Sequence, residues 1–336
     1  MTEYLNSNCN QFNSDDVYSA SKVIVNDGIV IFPTETVYGI GANALSNRAC
    51  EKIFKIKGRP QDNPLIVHAS STEEVEKIAD VKKVTHFQEL TKLWPGPLTV
   101  IFPSLGVVSS SATAGQDTVA IRIPDCNLAL ELIRKSGVPI AAPSANLSTR
   151  PSITDSVYLK SNFDGKADVI FDAGKTRYGI ESTVIMPRGD SCLILRPGIY
   201  TEDDLSEIFN KVTFSEDLAG SPRSPGTKYR HYSPSKKLYM PWSTEDLMKI
   251  QEKRPERYAI ICSSETGIKI GGKNLILMGS NRDPYEIASN LYDSLIKFDI
   301  GPYEEGLIEP LSGSGIYLSI MNRIKKAAIP LKEGEL

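Results

Sequence analysis

One short apolar run constrains this chain more than any other feature. Residues 29–32 (Ile-Val-Ile-Phe) pass directly into Pro33-Thr34-Glu35-Thr36-Val37-Tyr38-Gly39. The run reads as a buried strand, and the proline ends it. A strand that closes on two hydroxyls, a carboxylate and a glycine sets polar side chains at a sheet's end, where α/β proteins build their sites. Thr and Glu also cap turns and helices, so a satisfied turn is an equal reading of this segment alone.

Twenty residues on, apolar positions Ala49, Ile53 and Ile56 mark a helix over 47–57, followed by Gly58-Arg59-Pro60-Gln61-Asp62-Asn63-Pro64 and a strand at 65–67 ending in His68. Gly58 stops the helix and Pro60 forbids its continuation, which puts Lys57 and Arg59 on an irregular loop able to wrap an anion. The alternative is that two cations at a helix C-terminus complement its dipole.

Helices and strands alternate through the first two-thirds. A helix capped by Ser14 carries Val17, Ala20 and Ile24, and further strands are expected at 98–102, 119–123, 140–142, 169–171, 183–186 and 193–195. Several are separated only by turns, which favours a mixed sheet over a parallel one. Alternation across 119–123 turns Arg122 away from the face of Ile121 and Ile123, and a buried guanidinium prefers a carboxylate or phosphate partner.

Between 216 and 235 the composition shifts to Gly, Pro, Ser and basic residues, as in a linker, with Lys228, Tyr229, Arg230, His231 and Tyr232 in one cluster. Beyond it, strands at 258–262, 274–278 and 306–308 and helices carrying Ile287, Leu291, Leu295 and Phe298, then 316–328, outline a second, smaller α/β unit. Gly313-x-Gly315 lacks the third glycine of a dinucleotide fingerprint and reads as structural.

The length of 336 residues suits two domains, and a formal charge of −3 gives no global attraction for a polynucleotide. The five cysteines are far apart and form no CxxC pair, so neither a disulfide framework nor a zinc site is expected, and a reducing compartment fits better. No run approaches membrane-spanning length. The expected location is cytoplasmic, without a membrane contact.

The segments around Thr34–Gly39 and Lys57–His68, with Trp94-Pro95-Gly96-Pro97-Leu98-Thr99, Val119-Ala120-Ile121-Arg122-Ile123-Pro124, Pro143-Ser144-Ala145-Asn146-Leu147-Ser148, Glu181-Ser182-Thr183-Val184 and Leu195-Arg196-Pro197-Gly198, resemble the YrdC family. Pro225-Gly226-Thr227-Lys228-Tyr229-Arg230-His231-Tyr232-Ser233-Pro234 resembles the linker of its two-domain, Sua-type branch. Order and spacing match along almost the whole chain. The resemblance implies a twisted, open mixed α/β sheet with a smaller Rossmann-like α/β domain. In this numbering that is a YrdC-like catalytic domain over 1–215, a linker folding over the active site at 216–237, and a Sua-type domain over 238–336.

The same resemblance implies an L-threonylcarbamoyladenylate synthase, a nucleotidyltransferase that makes threonylcarbamoyl-AMP and pyrophosphate from L-threonine, bicarbonate and ATP for tRNA threonylcarbamoyl-adenosine. Its implied residues are Lys57 and Arg59 as catalytic cations. Thr34, Thr36, His68, Arg122 and Ser182 would hold threonine, with Arg122 on the carboxylate. Lys57, Arg59, Asn63, Thr118, Ser144, Asn146, Arg150, Arg196 and His231 would hold ATP. Mg²⁺ is expected with the ATP phosphates, without a nameable protein ligand. The product is expected to pass to the tRNA threonylcarbamoyl transferase complex, with a weak contact to tRNA.

Three positions depart from the commonest family pattern: Ala173 and Thr149 stand for glycines and Thr227 for a methionine. Arg150 follows directly on the altered Thr149. Two other functions are weighed. An RNA-binding module using a basic concave face would show salt-dependent RNA affinity without turnover. A HypF-like carbamoyl-adenylating domain would carry zinc-finger cysteine pairs, which are absent here.

Overall fold

The computed structural model describes residues 1–215, 232–255 and 257–332. They fall into two units. One comprises 1–148, 153–177 and 181–215, and the other 149–152, 178–180 and the described residues from 232 on.

The first unit is built on a mixed sheet, which among the described residues runs in the order Glu3–Asn6, Val169–Asp172, Val30–Phe32, Gly39–Asn43, Ile140–Ala141, Ile66–His68, Thr118–Arg122, Leu98–Pro103, Thr183–Arg188, Ser191–Arg196 and Lys211–Phe214. Val30–Phe32 shows why the apolar run is continuous rather than alternating. Ile29 and Ile31 belong to one buried cluster and Val30 and Phe32 to another, so the strand is covered on both faces. The helix Ser14–Val25 packs on the second cluster through Val17, Ala20 and Ile24. Its cap is Asn13, whose side chain accepts from the Asp15 amide, one residue before the expected Ser14.

The strand Gly39–Asn43 has no apolar run to announce it. It returns antiparallel to Val30–Phe32, pairing Gly41 with Val30 and Gly39 with Phe32. A Cβ on Gly41 would meet the Phe32 ring at 2.6 Å and Ile140 at 2.8 Å, so only glycine fits here. Residues 33–38 thus form a buried connection between two strands.

One expectation is overturned. Cys9 and Cys126 form a disulfide across 117 residues. The Leu128 amide donates to the Cys9 carbonyl, bringing the N-terminal turn onto the start of the helix Asn127–Ser136. Spacing along the chain carries no sign of that approach. Cys50, Cys192 and Cys262 are free and buried, and burial pushes their thiols up to about 11, 12 and 12.

The second unit holds a sheet ordered Leu275–Leu277, Ala259–Cys262, Glu305–Ile308, Lys237–Met240, Ile329–Pro330, in which every described neighbour pair is parallel. The helix Pro284–Ile300 starts at the Asp283 cap with proline in its first turn, and buries Ile287, Leu291, Leu295 and Phe298. No described helix is long and apolar enough to cross a membrane.

Candidate active site

His68 and Arg122 end neighbouring parallel strands and are partners in the ladder, so their side chains emerge on the same face at the strands' C-terminal ends. Arg122 is buried. Its Nη1 donates to Thr36 Oγ1 at 2.8 Å and its Nε to the Gly96 carbonyl at 3.3 Å, while Nη2 lies 2.6 Å from Glu35 Oε2. Thr34 Oγ1 donates to the Val37 carbonyl, which leaves the Thr36 hydroxyl as donor in the 2.9 Å contact between the two threonines. The Thr176 hydroxyl secures the Thr36 carbonyl from the other side, at 2.9 Å. The carboxylate that the buried arginine required is therefore supplied by the chain itself.

His68 is also buried, its Nδ1 makes no hydrogen bond, and burial, reinforced by the nearby Arg122 charge, pushes its pKa down to about 3. The imidazole is neutral at physiological pH and acts as a hydrogen-bonding group, not a cation.

Lys57 corrects a second expectation. It is the last residue of the helix Asn47–Lys57, not part of the loop, and lies on the same buried stripe as Ile53 and Phe54. Gly58, in the left-handed conformation at φ 63°, ends the helix one residue later. The Lys57 ammonium donates to the carbonyls of Ser144 (2.6 Å) and Asn146 (2.5 Å), with Asn146 Oδ1 at 3.4 Å. Burial, with the neighbouring Arg59 charge, lowers its pKa well below the usual lysine range, against an opposing pull from Glu181.

Arg59 lies on the loop as expected, donating from Nε to the Asn63 carbonyl and from Nη2 to the Pro64 carbonyl. These bonds close the loop on itself. Asn63 is 1% exposed, yet neither polar atom of its amide is hydrogen-bonded. Ser144 donates to Asn146 Oδ1 at 2.5 Å, and Asn146 Nδ2 to the Leu147 carbonyl. Ser182 shares a 2.7 Å contact with Thr99 and receives Nη2 of Arg196, whose Nε bonds the Ser182 carbonyl. Thr118 is half-buried and bonds Gln116 at 3.5 Å.

Arg150 stands apart. It belongs to the short 149–152 segment of the second unit and pairs with Asp299 at 3.3 Å. His231, and the linker over 216–231 with Lys228, lie outside the described residues. Glu35, Thr99 and Thr176 were given no role from sequence. Glu35 and Thr99 stand inside motifs already singled out, which was the available signal. Among the described residues no group of three or more His, Cys, Asp or Glu side chains could hold a metal ion.

A family profile for Sua5, YciO and YrdC proteins, described as telomere recombination, matches residues 22–198, more than half of the chain. The chain belongs to the Sua5/YciO/YrdC family. A second profile, the C-terminal domain of threonylcarbamoyl-AMP synthase, matches residues 200–329, so this family member has the two-domain form. It is 37% identical over 324 residues to a threonylcarbamoyl-AMP synthase of Bacillus subtilis, covering 94% of each chain. It is 34% identical to one of Schizosaccharomyces pombe, covering 94% of this chain and 89% of that one. A crystal structure of P. abyssi Sua5 complexed with L-threonine matches with a TM-score of 0.87 at 34% identity, over 99% of this chain and 100% of that one.

Proposed function

We propose that this protein is an L-threonylcarbamoyladenylate synthase, which converts L-threonine, bicarbonate and ATP into threonylcarbamoyl-AMP and pyrophosphate for threonylcarbamoyl-adenosine in tRNA. One observation carries the reading. A Sua5/YciO/YrdC chain matched over nearly its whole length to threonylcarbamoyl-AMP synthases buries Arg122 and a neutral His68 at the ends of paired strands, with Thr36 bonded to Arg122.

The chemistry follows from where charge grows. Threonine's amine and bicarbonate condense to a carbamate with loss of water, the carbamate oxygen attacks the α-phosphorus of ATP, and pyrophosphate leaves. Negative charge develops on the non-bridging and leaving oxygens, so fixed cations and donors serve better than a strong base. Arg122 takes the threonine carboxylate. Thr34, Thr36, His68 and Ser182 surround the amino acid with small polar groups. Arg59, Asn63, Thr118 and Arg196 address the nucleotide, and the unsatisfied amide of Asn63 is suited to a ligand that completes it. Lys57 holds the Ser144–Asn146 turn in shape while keeping its charge behind it.

Mg²⁺ enters as part of the ATP substrate, since the described residues offer no acidic cage and Mg²⁺ commonly rides on substrate phosphates. The product goes to the tRNA-modifying transferase complex, and the reaction takes place in the cytoplasm. The test is threonine-dependent pyrophosphate release from Mg·ATP and bicarbonate, with threonylcarbamoyl-AMP identified by mass. RNA binding without turnover would overturn the reading.

A further inference from the structure

We infer that Glu35 recognises the α-ammonium group of the amino-acid substrate, beside the arginine that takes its carboxylate. The inference rests on the threonine-binding reading above and names a contact for one end of that substrate.

Glu35 is 3% exposed and its only ion-pair partner among the described residues is Arg122. The approach is close, 2.6 Å between Oε2 and Nη2, yet neither Glu35 oxygen nor Arg122 Nη2 makes an aligned hydrogen bond. A pair kept for stability alone would use the two parallel bonds that a guanidinium and a carboxylate can form. Here Arg122 spends Nε on Gly96 and one Nη1 hydrogen on Thr36, and meets Glu35 through Nη2. Buried polar atoms are almost always satisfied, so Glu35 Oε1, which has no hydrogen-bond partner, points to a donor that arrives from outside.

The chemistry of this pair of groups is specific. Arg122 offers donors to a carboxylate and Glu35 offers an acceptor to a cation, on adjacent groups. An α-amino acid carries a carboxylate and an ammonium on one carbon. Arg122 and Glu35 together are neutral, and so is the zwitterion, so binding adds no net charge to a buried site. Glu35 reaches the pair because Pro33 ends the strand and residues 33–38 cross the strand ends as a buried connection.

The test compares L-threonine with 3-hydroxybutyrate, which keeps the carboxylate and hydroxyl and lacks the ammonium. Calorimetric titration of wild type should show threonine binding at least about thirtyfold tighter, the scale expected when one partner of a buried charge contact is missing. Glu35→Gln should lose threonine affinity by about thirtyfold or more and hold 3-hydroxybutyrate as well as wild type or better, because Arg122 is freed of its internal carboxylate. A purely structural Glu35 would weaken both ligands alike, and that result overturns the inference. If Glu35→Gln does not fold, Glu35→Asp, which keeps the charge and shortens its reach, takes its place: a loss confined to threonine supports the contact and equal loss for both ligands refutes it. Wild type that binds neither ligand overturns the threonine reading and the Glu35 assignment with it, whereas equal binding overturns Glu35 alone.

Discussion

Replacing His68 with Gln should change how acid destabilises this protein, by an amount the structure sets. In the native chain burial and the Arg122 charge push the imidazole down to about 3, and in the unfolded chain it titrates near 6.5. Between those values the unfolded chain binds a proton that the native chain refuses. The stability contribution is therefore intact above pH 6.5 and is lost progressively as pH falls toward 3. Each pH unit inside that window carries about 1.4 kcal/mol, so lowering the pH from 7.5 to 5.0 should cost roughly 2 kcal/mol through this residue, and about 4 kcal/mol if carried to pH 3. Urea denaturation of wild type and His68→Gln at both pH values isolates the term, because all other titrating groups are shared. The variant should lose about 2 kcal/mol less than wild type between pH 7.5 and 5.0. Equal losses would mean that His68 is not held neutral, and its role as an uncharged partner to the substrate would fall.

Three further outcomes follow from the geometry. Lys57→Ala and Arg59→Ala should each lower turnover by about tenfold to a thousandfold in the pyrophosphate assay, and near-normal turnover in both would reduce them to supports of the local backbone. Thr149 is β-branched and sits at φ 71°, so Thr149→Gly should raise unfolding free energy by about 1 kcal/mol, whereas a loss of stability would show that its side chain matters more than its backbone. Cys9→Ser should lower stability by up to about 5 kcal/mol on the chain-entropy estimate for a loop near 100 residues, and an unchanged denaturation midpoint would show the bond does not form in solution.

Strands covered on both faces were legible because a buried parallel or central strand must be mostly apolar, as at 29–32 and 119–121. Gly39–Asn43 was not, since its requirement is for small residues against Phe32 and Ile140 rather than for apolar ones. The edge strands Glu3–Asn6 and Lys211–Phe214 were missed because exposure leaves only half of their four residues apolar. In the site, alternation correctly turned Arg122 inward and demanded an anion. It could not tell that Glu35, 87 positions earlier in the chain, would arrive first. The bounds of the helix were legible but the direction of Lys57 was not: as its last residue, before the Gly58 cap, Lys57 stays on the core-facing stripe instead of joining the loop. The Cys9–Cys126 bond was invisible because two cysteines so distant in sequence meet only through tertiary packing.

The central claim is that a buried Arg122, set by Thr36 and Glu35 beside a neutral His68, selects threonine for adenylation. The measurement that tests it most directly is pyrophosphate release from Mg·ATP and bicarbonate by wild type and Arg122→Ala, titrated separately with L-threonine and with ATP. The account predicts threonine-dependent release by wild type, and a variant whose apparent threonine affinity falls by about 2–5 kcal/mol while its ATP dependence stays nearly unchanged. Equal weakening toward both substrates, or release that ignores threonine, would contradict it.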